Sequence, residues 1–301
     1  MPTATSSGHP ETVDGGPTKP AARTPRDCTL PPLFWFGLAA GGVAFTAIQI
    51  VVGHQIGIFP IPGGDTFIWD RVGDQLRAGD HAIYAIQPTP DDTFWYAPPW
   101  AVVWAALSWL PVELLYGLLF VAKVLALRVI GGSWIGAGVA CWFPLVAFDL
   151  ASGNLNLVIA AAIVAAVHGR PWLAVVTAFA KLSPALAIDP RQWREVVAVA
   201  AVFAAVSLPF LDLWPAWFSH LVDGYGQPFG PQVGLPFVLR LAVAIVLVAT
   251  RRGWARALGA AIAIPALYYG SLVILIAPVA VASREWIGRQ PARRPAPVIP
   301  G

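Results

Sequence analysis

Acidic side chains gather in one short part of this otherwise apolar chain. Six of its sixteen acidic residues fall close together, at Asp65, Asp70, Asp74, Asp80, Asp91 and Asp92. The first of them follows two glycines in the stretch GGDTFIWD, where the backbone can turn tightly. A carboxylate in such a place can act as a general base on a hydroxyl group, or it can cap the start of a helix. Both interpretations of Asp65 are open, whereas the five later acids are expected to be solvated charges.

The chain around these acids has the composition of a membrane protein. Hydrophobic residues make up 57% of its 301 positions, charged residues make up 12%, and the mean hydropathy is +0.67. Repeated apolar runs with few charges are typical of proteins that cross a bilayer several times. The two cysteines, Cys28 and Cys141, exclude a disulfide framework and a cysteine metal site. No basic stripe with interleaved aromatic residues is present, so the sequence predicts no nucleic-acid partner.

The apolar segments predict an all-α polytopic membrane protein. Residues 1–32 are rich in Pro, Thr, Gly and Ala and are expected to form a disordered tail, residues 33–285 a multi-spanning domain, and residues 286–301 a basic Pro-rich tail. About ten transmembrane helices are expected. The segments lie near 33–52, 98–110, 112–130, 134–148, 154–168, 171–188, 192–211, 235–250, 255–265 and 267–283.

The basic residues predict which side of the membrane each loop faces. They cluster before the first span, in two short loops and after the last span, at Lys19, Arg23, Arg26, Arg191, Arg194, Arg251, Arg252, Arg256, Arg284, Arg289, Arg293 and Arg294. Because short cytoplasmic loops carry an excess of Lys and Arg, ten helices would place all four clusters and both termini in the cytoplasm. The long loops 53–97 and 212–234 would then face outward from the plasma membrane.

The acidic window itself contains a predicted helix. From Asp65 to Ala78, apolar residues recur at helical spacing, at Ile68, Trp69, Val72 and Leu76. The charged residues Asp70, Arg71, Asp74 and Arg77 lie elsewhere on the helical wheel. This amphipathic pattern is typical of a helix that lies in the membrane interface instead of crossing the bilayer.

The motifs and their order along the chain resemble those of glycosyltransferase family 87. Members of this family are multi-spanning enzymes of the GT-C superfamily. DTFIWDRVGDQLRAGDHAIYA followed by FWYAPPW is similar to the family's first outer loop. SGNLNLVIAAAI, AVVTAFAKLSPALAI and GLPFVLRL are similar to three later segments of the family. The matching positions in this chain are Asp65, Trp69, Ala78, Gly79, Tyr84, Tyr96, Pro98, Pro99, Asn154, Lys181 and Arg240. The resemblance implies a GT-C-like helical bundle.

The resemblance also implies a reaction. Such enzymes take a hexosyl group, mannosyl in actinobacterial members, from a polyprenyl-phosphate donor and transfer it to a glycolipid or lipoglycan at the outer face of the bilayer. Asp65 is then the expected catalytic base, which deprotonates the acceptor hydroxyl. The expected substrate-binding residues are Arg240, His220, Tyr96, Trp69, Lys181 and Asn154. No cofactor and no metal ion are expected.

Several of these residues have simpler interpretations. Arg240 can extend to the membrane interface, and His220 can be a solvated loop residue. Lys123 and Lys181 lie inside apolar segments, where a lysine pairs with an acid or with carbonyl groups, and Asp149 is a candidate partner. A transporter or lipid flippase, with charges inside the membrane, is the main alternative function. A non-catalytic relative is a further alternative.

Overall fold

The computed structural model describes residues 30–58, 63–85, 94–223, 235–265 and 267–289, and every regular element in them is helical. The α-helices there are α1 (Pro32–Gln55), α2 (Gly64–Arg77), α3 (Pro98–Leu107), α4 (Val112–Gly131), α5 (Trp134–Ala140), α6 (Pro144–Ser152), α7 (Asn156–Val167), α8 (Trp172–Ala178), α9 (Trp193–Ala205), α10 (Leu213–Asp223), α11 (Phe237–Ala249), α12 (Gly253–Ile262) and α13 (Ile276–Arg289). Short 3-10 helices cover Ala82–Tyr84, Ser183–Ala187, Pro190–Gln192, Leu208–Phe210 and Tyr269–Leu275.

Three helices in the described residues are long and apolar enough to cross a membrane. They are Pro32–Gln55, Val112–Gly131 and the continuous helical stretch Tyr269–Gly288. A fourth span would be formed by α5 and α6 together, which meet at a bend of 96°. The prediction of a helical membrane protein is therefore supported, but the predicted count of about ten spans is not confirmed.

Several of the predicted segments contain helices that are short or interrupted. Helix α7 has 12 residues and extends about 18 Å, well below the roughly 30 Å of a hydrocarbon core. The predicted segment 171–188 is interrupted, because α8 ends at Ala178 and Pro184 lies in the next 3-10 helix. In the segment 192–211, α9 ends at Ala205, before a 3-10 helix that contains Pro209.

Helix α7 forms the centre of the fold. Its apolar side chains are buried almost without interruption, from Leu157 to Val164. It contacts α4, α8, α12 and α13, as well as the 3-10 helix at Tyr269–Leu275. A helix that is apolar on all sides lies in a protein core or spans a membrane, and these contacts place α7 in the core of the protein. The first residue of α7, Asn156, is consequently buried as well, at 1% exposure.

The amphipathic helix predicted in the acidic window is present as α2. Its buried face includes Trp69, Val72 and Leu76, and it packs against α3. At Gly73 the two helices approach so closely that a Cβ atom would lie 2.6 Å from the carbonyl oxygen of Trp104. The apolar face of α2 therefore lies against protein, and the helix holds its first turn in a fixed position.

The ends of the predicted membrane domain agree only approximately with the helices. Helix α1 begins at Pro32, and α13 continues to Arg289, beyond the predicted boundary at 285. The predicted tails fall mainly outside the described residues, as do Asp91 and Asp92. The orientation in the plasma membrane, with both termini in the cytoplasm, stays a prediction.

Candidate active site around Asp65

Two glycine turns bring the start of α2 against the junction of α6 and α7. Gly63 and Gly153 have φ angles of +74° and +78°, which favour glycine. The amide of Gly63 donates to the carbonyl oxygen of Ala151 at 2.9 Å. A Cβ atom on Gly153 would lie 3.0 Å from the backbone of Gly63. This contact places Asp65, two residues after Gly63, beside Asn154.

Asp65 lies in the first turn of α2 and does not cap it. The N-cap residue is Gly63, and no side chain accepts a hydrogen bond there. The N-cap interpretation of Asp65 is therefore wrong. Burial raises the pKa of the Asp65 carboxyl from 3.8 to about 6, although Lys181, Lys123 and a hydrogen bond from Asn154 act in the opposite direction. A carboxyl with this pKa is mostly ionised at neutral pH and remains basic enough to accept a proton.

A fully buried ion pair lies near Asp65. The Lys123 ammonium is 3.6 Å from Oδ2 of Asp149, and both side chains are essentially inaccessible. Lys123 also donates to the main-chain oxygen of Asp149, and Oδ2 of Asp149 accepts from the amide of Leu157 at 3.2 Å. The predicted pairing of Lys123 with Asp149 is confirmed. Asp149 thereby fixes the first turn of α7.

Amide and phenol groups connect the remaining polar residues of the cluster. The Lys181 ammonium donates to Oδ1 of Asn156 at 2.7 Å, and Nδ2 of Asn156 donates to the carbonyl oxygen of Gly270 at 3.3 Å. Nδ2 of Asn154 donates to the Tyr268 hydroxyl at 2.7 Å. The Lys181 ammonium lies 5.5 Å from the centre of the Tyr268 ring, a cation–π distance.

These polar groups form two layers that differ in their exposure. Asp65, Asn154, Lys181 and Tyr268 each keep part of their surface accessible, whereas Lys123, Asp149 and Asn156 are buried. The accessible layer therefore combines a base, a cation and two hydrogen-bonding groups. Such a set can deprotonate a hydroxyl group and stabilise a negative charge nearby.

Aromatic residues support the cluster from the side of α2 and α3. Tyr96 is 8% exposed and lies close enough to Asp65 for the carboxylate charge to act on its hydroxyl group. The ring centre of Trp69 is 6.0 Å from that of Tyr96 and 4.4 Å from that of Trp104, on which Trp69 stacks. Because Trp69 is only 3% exposed, it offers no open ring face for a sugar. Its position indicates that Trp69 holds α2 in place.

Arg240 lies away from the cluster and binds backbone carbonyl groups. Its Nε donates to Leu235 at 2.9 Å, its Nη1 to Ile262 and Ile264 at 2.8 and 2.6 Å, and its Nη2 to Pro265 at 2.9 Å. Four of the five N–H groups of a guanidinium are thus satisfied. Arg240 caps the end of α12 and holds the segment that leads to Tyr268.

Arg240→Met is therefore expected to lower the free energy of unfolding by about 3 kcal/mol, because several carbonyl oxygens lose a charged donor. Thermal and denaturant unfolding in detergent would measure the change. Arg170→Met is a matched control, since Arg170 is exposed and should have little effect. Unchanged stability of Arg240→Met, together with lost binding of a phosphate substrate, would instead support the predicted substrate-binding role.

His220 lies on a helix and not in a solvated loop, which corrects the simpler interpretation of this residue. It belongs to α10 and is 5% exposed, and its Nε2 atom is buried without a hydrogen-bond partner. Its ring centre lies 4.1 Å from that of Trp95 and 5.9 Å from that of Tyr84. With His81 and Asp223 it lines a cavity of about 330 Å³. This cavity is separate from the Asp65 cluster.

Two residues of the cluster, Asn156 and Tyr268, were not predicted from the sequence. Asn156 is in the same SGNLN stretch as Asn154, and Tyr268 is a polar residue inside an apolar segment. Among the described residues, no group of three or more His, Cys, Asp or Glu side chains could hold a metal ion. Comparisons of the chain with known protein families, with curated proteins and with solved structures found no match.

Proposed function

We propose that the protein is an integral membrane glycosyltransferase of the inverting GT-C type. It transfers a hexosyl group, mannosyl by the resemblance, from a polyprenyl-phosphate donor to a glycolipid or lipoglycan acceptor at the outer face of the plasma membrane. The observation that supports this most is that Asp65 is partly accessible as a residue, that burial raises the pKa of its carboxyl to about 6, and that the Lys181 ammonium interacts with that carboxyl. The base Asp65 can accept the proton of an acceptor hydroxyl, and the cation Lys181 can stabilise the negative charge of a phosphate leaving group.

In this proposal Asp65 accepts the proton of the acceptor hydroxyl as the oxygen attacks the anomeric carbon. General-base assistance of this kind contributes about 10²–10⁴-fold to a rate. Asn154 orients the carboxyl through its hydrogen bond. Tyr96 closes the cluster on the side of α3. The prenyl chain of the donor stays in the lipid bilayer, where apolar side chains such as Val121 and Leu125 of α4 are exposed.

The proposed activity can be tested with membranes from cells that express the chain. Radiolabelled polyprenyl-phosphate-mannose is added, and label is followed into the lipid and lipoglycan fractions. Transfer above that of membranes lacking the chain is expected. No transfer with any polyprenyl-phosphate-hexose, in membranes that contain the intact protein, would contradict the proposal.

The rate of transfer is expected to depend on pH through Asp65. Only the ionised carboxylate can accept a proton, and its pKa is raised to about 6. The rate should therefore be nearly constant above pH 7 and fall about tenfold for each unit below pH 6. Initial rates between pH 5 and 8 would measure this profile, with donor integrity checked at each pH. A flat profile down to pH 5 would exclude Asp65 as the base.

A transporter is a second candidate, supported by the broken helix pair α5 and α6. The 96° bend lies between Ala140 and Pro144. The buried Asp149 lies on α6, directly after the bend, and its partner Lys123 lies on α4. Interrupted helices with buried charges are typical of transporter binding sites. Energy-dependent accumulation of a solute in proteoliposomes, without covalent transfer, would favour this function.

A further inference from the structure

The hydrogen bonds of Asn154 determine where the Tyr268 proton can go. A carboxylate only accepts hydrogen bonds, so the amide nitrogen of Asn154, not its oxygen, faces Asp65. The same nitrogen donates its other N–H to the Tyr268 hydroxyl at 2.7 Å. The Oδ1 atom of Asn154 is buried without a partner, which agrees with this orientation. The Tyr268 oxygen is therefore an acceptor toward Asn154. Ser271 and Asn156 also lie within hydrogen-bonding reach of this hydroxyl, so its proton can be donated to one of them or to a ligand.

Lys181 places a second donor beside the Tyr268 ring. Its ammonium lies 5.5 Å from the Tyr268 ring centre, and one of its three N–H groups is taken by Asn156. Both Lys181 and Tyr268 are partly accessible, as Asp65 is. Lys123, the other cation that acts on Asp65, is fully buried by its ion pair with Asp149. The accessible layer thus presents one ammonium and one phenol O–H beside the carboxylate.

We propose that Tyr268 is a further catalytic residue, whose hydroxyl and the Lys181 ammonium together bind the phosphate group of the prenyl-phosphate donor. The proposal rests on the proposed glycosyl transfer for its chemistry. Two donors of this kind suit the oxygens of a phosphate, and a charge-assisted hydrogen bond is stronger than a neutral one. Asn154 connects Tyr268 to the base Asp65. The donor phosphate at Tyr268 and the acceptor hydroxyl at Asp65 would therefore lie close to each other.

The proposed transfer forms one bond at the anomeric carbon and breaks another. The acceptor oxygen forms a bond to the anomeric carbon, and its proton moves to the Asp65 carboxylate. The bond between the anomeric carbon and the phosphate oxygen breaks, and its electron pair stays on that oxygen. The leaving group changes from a phosphodiester with one negative charge to a prenyl monophosphate with two. Lys181 and Tyr268 stabilise the charge that develops in the transition state.

The test measures phosphate binding separately from sugar transfer. Farnesyl phosphate is titrated against the purified full-length protein in nanodiscs, with farnesol as the probe that lacks phosphate. Tyr268→Phe is expected to weaken farnesyl phosphate binding about tenfold or more, since it removes one hydrogen bond to a charged group. Tyr269→Phe is the matched control, because Tyr269 is the next residue and is 59% exposed. Lys181→Gln is a second variant and is also expected to weaken binding.

Wild-type affinity in both Tyr268→Phe and Lys181→Gln would overturn the proposal, as would the absence of farnesyl phosphate binding by the wild-type protein. Binding that is weakened in both variants but unchanged for farnesol would support it. If the wild-type protein binds the phosphate yet transfers no sugar, the proposed function fails while the phosphate site stands. If transfer occurs, Tyr268→Phe is expected to lower kcat about 100-fold with an unchanged pH profile.

Discussion

Asp65→Asn is expected to reduce sugar transfer at least 100-fold and to leave a folded, membrane-inserted protein. Asparagine keeps the size of the side chain but cannot accept the acceptor proton, and loss of a general base costs about 10²–10⁴-fold. Initial rates with labelled polyprenyl-phosphate-mannose at pH 7.5 would measure the effect. The folded state should be preserved, because the raised pKa means that the fold is more stable with the neutral form of this carboxyl. Its ionisation lowers the free energy of unfolding as the pH rises from 3.8 to about 6, and asparagine is neutral at every pH.

Asp74→Asn is the matched control for this experiment. Asp74 is on the same helix, is exposed and pairs with Arg77 at 2.6 Å on the surface. It lies away from the cluster, so its variant should retain the wild-type rate. Equal losses in both variants would point to a general effect on α2, and undiminished transfer by Asp65→Asn would remove this carboxyl from the mechanism.

Lys123→Met is expected to lower the free energy of unfolding by about 3–5 kcal/mol, because it leaves the Asp149 carboxylate buried and unpaired. The ion pair is fully inaccessible, and Asp149 also accepts a hydrogen bond from the first turn of α7. The substitution should therefore destabilise the packing of α7, at the centre of the fold. Unfolding of the purified protein in detergent would measure the change.

The double variant Lys123→Met/Asp149→Asn should recover part of this loss. An asparagine at 149 can still accept from the amide of Leu157, and no unpaired charge remains. The effects of the two single variants should therefore not add, as expected for residues in direct contact. The exposed pair Asp74–Arg77 serves as a comparison, since breaking it should cost less than about 1 kcal/mol. Additive losses at 123 and 149 would show that the buried pair is not the source of the stability.

Local features of this site could be predicted from the sequence because they depend on neighbouring residues. The 3.6-residue periodicity after Asp65 predicts α2, and the apolar surroundings of Lys123 predict a buried partner such as Asp149. Both predictions are confirmed. The sequence left the N-cap interpretation of Asp65 open, and it is wrong because Gly63, two residues earlier, adopts a left-handed conformation and is the N-cap.

Features that depend on distant residues could not be predicted in the same way. Tyr268 meets Asn154 across 114 positions, and the partners of Arg240 are backbone carbonyls, which no side-chain pattern displays. Hydropathy also fails to separate a spanning helix from a short apolar helix surrounded by protein, as α7 shows. The predicted count of about ten spans is not confirmed for this reason.

In the proposed mechanism Asp65 acts on the acceptor hydroxyl and Lys181 acts on the donor phosphate, both at the same anomeric carbon. This arrangement of base and cation is the centre of the mechanism. It is tested most directly by a structure of the protein with a non-transferable phosphonate analogue of polyprenyl-phosphate-mannose. The phosphonate is expected to contact Lys181 and Tyr268, with the anomeric carbon turned toward the Asp65 carboxyl. A phosphonate bound instead in the cavity between His81 and His220, with Asp65 closed off from the sugar, would contradict the claim.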